Sequence, residues 1–312
     1  MTVSGKTAWI FPGQGSQAVG MGLDLHSEFQ SSRKVFEQAD STLSFSLSTV
    51  CFEGPEDVLT RTINTQPALL TVSCACLKAI EELNDGSFSR PDFVAGHSLG
   101  EYTACAYAGV FDFSTAVFLA RERGRLMQEA GTASPGAMAA VLGMEEDVLN
   151  EICRATSTVI ANFNSPGQLV ISGPVDGIAS ASQMAKEKGA GRVVPLQVSG
   201  AFHSPLMKPA RDGLAQIIDT ITFRDPAIPV IANTTAKPLT SAGQIKTELL
   251  DQLCTGVQWQ RSVEYMVTNG VQRFIEIGPG KVLTGLVKRI NRQVTLQTIN
   301  GAADIRQLFT AR

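Results

Sequence analysis

One serine in this 312-residue chain is set in a pattern that makes a nucleophile. Gly96-His97-Ser98-Leu99-Gly100 follows the apolar run Phe93-Val94-Ala95 and opens a proline-free stretch of helical composition. At so sharp a strand-to-helix turn the serine hydroxyl is lifted clear of the sheet. The flanking glycines remove the Cβ atoms that would collide there. The turn also sets Ser98 at the start of a helix, where unpaired N–H groups and the positive dipole end stabilise an oxyanion. Gly/Ser pentapeptides occur in ordinary turns too; the strand before and the helix after single out Ser98 as the candidate nucleophile.

A serine nucleophile needs a base, and the chain has three histidines. His97 adjoins Ser98, and neighbouring side chains in such a turn diverge. His26 lies in a helical or turn segment after Met21-Gly22 and reads as a surface or capping residue. His203 stands in Val198–Met207, a loop between a strand and a helix, where a ring can be held over a cleft between two domains. The plain alternative for a lone loop histidine is a solvated or structurally bonded ring. No carboxylate stands out as a third member. Asp225 and Glu276 are available but unspecific, and a backbone carbonyl fixes an imidazole tautomer equally well. The residues read as a Ser98–His203 dyad.

Arg123 carries the most informative charge. Its neighbours at helical spacing are Ala116, Leu119, Ala120, Leu126 and Met127, all apolar, whereas Arg125 neighbours Arg121, Glu122, Gln128 and Glu129. Arg123 therefore projects inward, where an unpaired guanidinium is costly. A protein carboxylate or a bidentate substrate carboxylate would satisfy it, and the spacing leaves both open.

The elements that must hold these residues follow from pattern. Thr7–Phe11 reads as a strand running into the loop Pro12–Gln17. That loop matches neither the P-loop nor the Gly-x-Gly-x-x-Gly spacing, so phosphate cradling is rejected. Helices are expected over 31–43, 56–61, 67–83 and 113–129, the last N-capped by Asp112 and closed before Gly131. From 137 the rhythm becomes strand (137–142), helix (145–155), strands (159–163, 168–172), helix (175–188) and strand (192–198). That β-α-β-β-α-β order is the ferredoxin-like pattern. Helices over 209–220, 244–254 and 263–268 and strands over 229–232 and 273–277 follow. The expectation is an α/β protein. Residues 1–133 and 201–312 would form an α/β-hydrolase-like core with a parallel sheet, and 134–200 an inserted ferredoxin-like small domain.

Bulk properties narrow the class. With 44% hydrophobic and 18% charged residues the chain is an ordinary globular one, large enough for a sizeable core. A net charge of −3 argues against nucleic acid as the main partner. No apolar run is long enough to span a membrane, and the residues before Ala8 leave no room for a leader. Six scattered cysteines include no Cys-x-x-Cys, and Cys74 and Cys76 are too close for a zinc knuckle. They read as buried thiols of a cytoplasmic protein with no metal site.

Several segments together resemble one family essentially end to end. They are Phe11-Pro-Gly-Gln-Gly-Ser-Gln17, Gly96-His-Ser-Leu-Gly-Glu-Tyr102, Arg123-Gly124, Gly200-Ala-Phe-His203 with Ser204-Pro-Leu-Met207, Gln258-Trp259 and Glu276-Ile-Gly-Pro-Gly280. The family is that of the malonyl-CoA:acyl carrier protein transacylases and the related acyltransferase domains of polyketide synthases. The resemblance implies a ping-pong transfer. Ser98 takes the malonyl group from malonyl-CoA with His203 as base, and the malonyl-serine passes it to the phosphopantetheine thiol of acyl carrier protein for fatty-acid synthesis. It also implies backbone oxyanion donors at Gln14 and Leu99, Arg123 on the malonyl carboxylate, and the Gln258 backbone carbonyl orienting His203. Phe202 matches the aromatic residue of malonyl-specific members, and Asn162 would line the cleft. Gly200 departs from the histidine that many polyketide relatives carry.

No cofactor is expected, since CoA enters as substrate and phosphopantetheine arrives on the partner. Lys281, Lys288, Arg289 and Arg292 lie on a basic, helical segment that could dock an acidic carrier, with Lys208 and Arg211 as further candidates; a solvated helix face is the plain alternative. A monomer is expected. Two other readings remain. A serine esterase or thioesterase would need an acidic triad member and no buried arginine, and a discrete polyketide acyltransferase would share the whole site. A silent scaffold would have lost Ser98 or His203, and both are present.

Overall fold

In the computed structural model, which describes residues 5–310, the apolar runs assemble into two sheets. Met1–Ser4, part of the segment read as leaving no room for a leader, lie outside the described residues. β1 (Lys6–Phe11) and β2 (Phe93–Gly96) pair in parallel, with Phe11 opposite Gly96. Residues 136–195 then build a separate antiparallel sheet from β3 (Gly136–Leu142), β4 (Val159–Ser165), β5 (Gln168–Pro174) and β6 (Arg192–Pro195), in the order β4-β5-β3-β6. The chain returns to the first sheet with β7 (Val230–Ile231), β8 (Pro238–Leu239), β9 (Val271–Ile277) and β10 (Thr295–Ile299). The large sheet runs β10-β9-β1-β2-β7-β8 and is parallel except at the β8 edge.

A parallel strand covered on both faces must be apolar throughout, and β1 shows how both faces are used. Trp9 and Phe11 pack with the helices Thr62–Leu83 and Phe113–Ala133; Ala8 and Ile10 pack with Trp259–Thr268 and Val282–Ile290. The small sheet has its own core beneath the helices Glu146–Ala155 and Val175–Glu187. It is stitched to the large unit through backbone. Phe163 N–H donates to Val257 O and Val257 N–H to Ala161 O, both at 2.8 Å. The carboxyl ends of β1, β2 and β7 meet beside this seam, where ligands of open α/β sheets bind.

Some boundaries moved for identifiable reasons. The helix expected from Pro67 starts at Thr62, because the carbonyl that Pro67 cannot pair, Ile63 O, accepts from Arg121 Nη1 at 3.2 Å instead. β6 stops at Pro195, three residues short of the expected end. The half-buried edge strand β10 and the helices Leu47–Glu53 and Ala302–Thr310 were not anticipated. Among the described residues no helix is long and apolar enough to cross a membrane.

Candidate active site

β2 ends at Gly96, and the chain turns through Ser98 at φ 52° into the helix Gly100–Tyr107. A left-handed serine is strained by roughly 1–3 kcal/mol, so its surroundings must hold it. A Cβ on Gly96 would stand 1.9 Å from the Gly100 carbonyl carbon, and one on Gly100 would stand 2.1 Å from Phe11 O. Only glycine allows these backbones to approach so closely. Asn233, just beyond β7, clamps the turn: its Oδ1 accepts from Ser98 N–H and its Nδ2 donates to Gly96 O, each at 2.7 Å.

His203 Nε2 lies 2.8 Å from Ser98 Oγ, and His203 Nδ1 lies 2.7 Å from Gln252 O. A carbonyl only accepts, so Nδ1 carries the proton and Nε2 is left to accept from the serine hydroxyl. Burial, reinforced by the charge of Arg123, pushes the His203 pKa down to about 3. The ring is thus a neutral base at neutral pH. The orienting carbonyl is that of Gln252, which corrects the assignment to Gln258. The Gln258 carbonyl is spent on Ser262 N–H at 2.9 Å at the start of the helix Trp259–Thr268.

Arg123 is 1% exposed, as its helical neighbours require. Its Nη1 donates to Gln66 Oε1 at 2.8 Å, and its Nη2 to Gln252 Oε1 at 2.6 Å and Ser98 Oγ at 3.1 Å. Its Nε–H has no partner among the described residues, and the group lies 5.4 Å from the Tyr102 ring centre. Among the described residues no carboxylate pairs with it. Arg125 behaves as its spacing suggested, ion-paired with Glu122 and Glu129 at 2.7 and 2.8 Å.

Ser98, His203 and Arg123 open onto a cavity of about 460 Å³ whose wall also includes Gln14, Leu99, Phe202 and Asn162. Among the described residues the backbone N–H groups of Gln14 and Leu99 have no protein acceptor, so both are free to hold an oxyanion. Met127 and Met138 add apolar wall, and Met138 and Asn162 come from the small sheet, so the cavity lies between the two sheets.

Of the remaining candidates only His97 lines the cavity. His97 turns to Asn164 Oδ1 at 2.8 Å, and His26 packs on Phe36 and Phe52. Asp225 accepts from Ala242 N–H. Glu276, fully buried, accepts from Leu283 and Thr284 N–H at the start of a helix. Lys281, Lys288, Arg289 and Arg292 are exposed, outside the cavity wall. Sequence reasoning missed Gln66, Gln252 and Asn233. A glutamine inside the apolar run of Thr62–Leu83 was a usable signal for Gln66; nothing local marked the other two.

Residues 8–307 match the family model for the acyl transferase domain. The chain belongs to the acyl transferase domain family. A malonyl CoA-acyl carrier protein transacylase of Bacillus subtilis (strain 168) is 47% identical over 294 residues, covering 93% of this chain and 92% of that protein. An acyl-carrier-protein-S-malonyltransferase from Bartonella henselae superposes with a TM-score of 0.94 at 42% identity, covering 98% of this chain and 99% of that one. A malonyl-transacylase solved in complex with its type II PKS acyl-carrier protein superposes at 0.93 with 39% identity, covering 98% and 100%. The site of this chain brings together a serine hydroxyl, a neutral imidazole, two backbone N–H groups and a buried guanidinium.

Proposed function

We propose that the protein transfers the malonyl group of malonyl-CoA to the phosphopantetheine thiol of acyl carrier protein through a malonyl-O-Ser98 intermediate, feeding fatty-acid synthesis. The relatives' activity points there, and one observation in this chain carries it. A fully buried guanidinium with no carboxylate partner among the described residues stands 3.1 Å from the Ser98 hydroxyl. An acyl group bearing its own carboxylate supplies the missing anion bidentately.

The steps follow from the geometry. His203 Nε2 takes the Ser98 proton as Oγ attacks the thioester carbonyl, while Gln14 and Leu99 N–H hold the oxyanion. Collapse expels the CoA thiolate, which leaves with the proton from His203. The carrier thiol then gives its proton to the same nitrogen and attacks the acyl-serine carbonyl; the Oγ–acyl bond breaks, Ser98 Oγ takes the proton back from His203, and the malonyl thioester leaves. The Gln252 carbonyl keeps the tautomer through both half-reactions. Phe202, Met127 and Met138 give the cavity an apolar side, opposite polar wall residues such as Gln66 and Asn162. His203 Nδ1 is held by the Gln252 carbonyl at 2.7 Å, in the place where the esterase alternative needs an acidic group.

We read the large sheet as an α/β-hydrolase-like core and 134–200 as an inserted ferredoxin-like domain, supported by the β-α-β-β-α-β order and by a separate small-sheet core. For the carrier we favour Lys281, Lys288, Arg289 and Arg292, since Lys208 and Arg211 are already paired with Asp212 and Asp251. The test of function is loading of the protein by malonyl-, methylmalonyl- and acetyl-CoA. A strong preference for malonyl is expected; equal loading by acetyl contradicts the reading.

A further inference from the structure

Beneath the site lies a buried carboxyl group that the reaction does not use, its pKa pushed well above the usual range by burial and by the nearby Glu248. Glu101 is fully buried at the start of the helix after Ser98, and each of its oxygens accepts one bond. Oε1 accepts from Asn233 N–H at 3.0 Å, and Oε2 accepts from Gln252 Nε2. The second Nε2 hydrogen of Gln252 goes to Ser98 O at 2.9 Å, leaving its Oε1 to face Arg123. A primary amide has one acceptor end and one donor end, and flipping it exchanges them. Flipped, Gln252 would aim an NH2 at a guanidinium that can only donate, and its oxygen at the Ser98 carbonyl, which can only accept.

From this geometry we infer that Glu101 is a positioning residue for the transfer: by accepting from Gln252 it fixes the polarity of that amide, and so aims Arg123 at the substrate carboxylate beside Ser98. A glutamine at 101 has one oxygen for two donors. The backbone N–H of Asn233 cannot turn away, so the conflict falls on Gln252, whose amide must flip or lose its bond. Where the amide flips, Arg123 faces a donor and leaves its aim.

The inference rests on the malonyl reading above, and the experiment separates the two. Wild-type protein is loaded with malonyl-CoA and with acetyl-CoA, and kcat/KM for each is followed by the acyl adduct on Ser98. A wild type without a malonyl preference overturns the reading of the site itself. With that preference present, E101Q is expected to lower the malonyl-to-acetyl ratio roughly 10- to 100-fold, the range for one hydrogen bond to a charged group. A merely structural role lowers the melting temperature or both rates together, and an unchanged ratio overturns the inference. Gln252→Leu removes the amide yet keeps the backbone carbonyl that holds His203, and it should show the same fall in ratio. Because Glu101 acts through Gln252, adding E101Q to Q252L lowers the ratio no further; losses that multiply overturn the inference. If E101Q does not fold, the ratio in Q252L decides, and an unchanged ratio there is again the overturning result.

Discussion

Replacing Arg123 by alanine separates recognition of the malonyl carboxylate from the chemistry of acyl transfer. The guanidinium spends bonds on Gln66 and Gln252 and retains unspent N–H groups, including Nε–H, on a buried cation. A malonyl carboxylate gains two charge-assisted bonds there, each worth roughly 1.5–3 kcal/mol, or about 3–6 kcal/mol together. At about 1.4 kcal/mol per tenfold, malonyl loading should fall in kcat/KM by roughly 10²- to 10⁴-fold. Acetyl has no carboxylate to lose and no longer faces an unpaired cation, so its loading should hold or rise. R123A also strands Gln66 Oε1 and Gln252 Oε1, which costs roughly 1–3 kcal/mol each, offset in part by removing a buried charge. Loading kinetics with both thioesters, beside a thermal melt to account for lost stability, make the assay. Equal loss for malonyl and acetyl would refute the carboxylate role.

Other consequences are as direct. With the His203 pKa held at about 3, malonyl loading in single-turnover mass measurements from pH 5 to 8 should show no acid limb near the ordinary histidine value of 6.5; a limb there contradicts a neutral buried base. The folded pKa is depressed, so on acidification the unfolded chain takes a proton that the folded ring refuses. The stability owed to this histidine is complete above about pH 6.5 and is lost toward pH 3, to be read in denaturant midpoints. Gly100→Ala places a Cβ 2.1 Å from Phe11 O and should destabilise the fold by about 3 kcal/mol or more, whereas Gly285→Ala meets nothing within 4 Å and should be neutral or mildly stabilising in a urea titration. Charge reversal at Lys288 and Arg289 should raise KM for acyl carrier protein and leave KM for malonyl-CoA unchanged; an unchanged carrier KM removes the docking assignment.

The parts of the site written locally were the legible ones. The Ser98 turn is declared by two glycines because three backbone segments converge within ten residues of sequence and one strand pairing. Arg123 was legible through helical periodicity, which fixes the direction of a side chain but not its partner, so the choice between an internal and a substrate carboxylate needed coordinates. His203 emerged because only two other histidines competed with it. The group behind it was misassigned to Gln258, since a backbone carbonyl has no residue identity and any position in the 252–258 turn could have offered one. Asn233 was invisible for a related reason. Its side chain stands in for a strand partner of the turn at Ser98, a role set by the arrival of β7 from 135 residues away. The βαββαβ run was legible because its alternation is local, whereas β10, a half-buried edge, has little apolar contrast to announce it.

The most direct test of the central claim is the fate of the acyl group on Ser98. Intact-mass analysis after brief exposure to malonyl-CoA should show one malonyl adduct, mapped by peptide fragmentation to Ser98 and absent in S98A. On adding acyl carrier protein bearing its phosphopantetheine thiol, the adduct should discharge onto the carrier faster than it is lost to water. An adduct elsewhere in the chain, or one lost to water as fast with carrier as without it, would contradict the account.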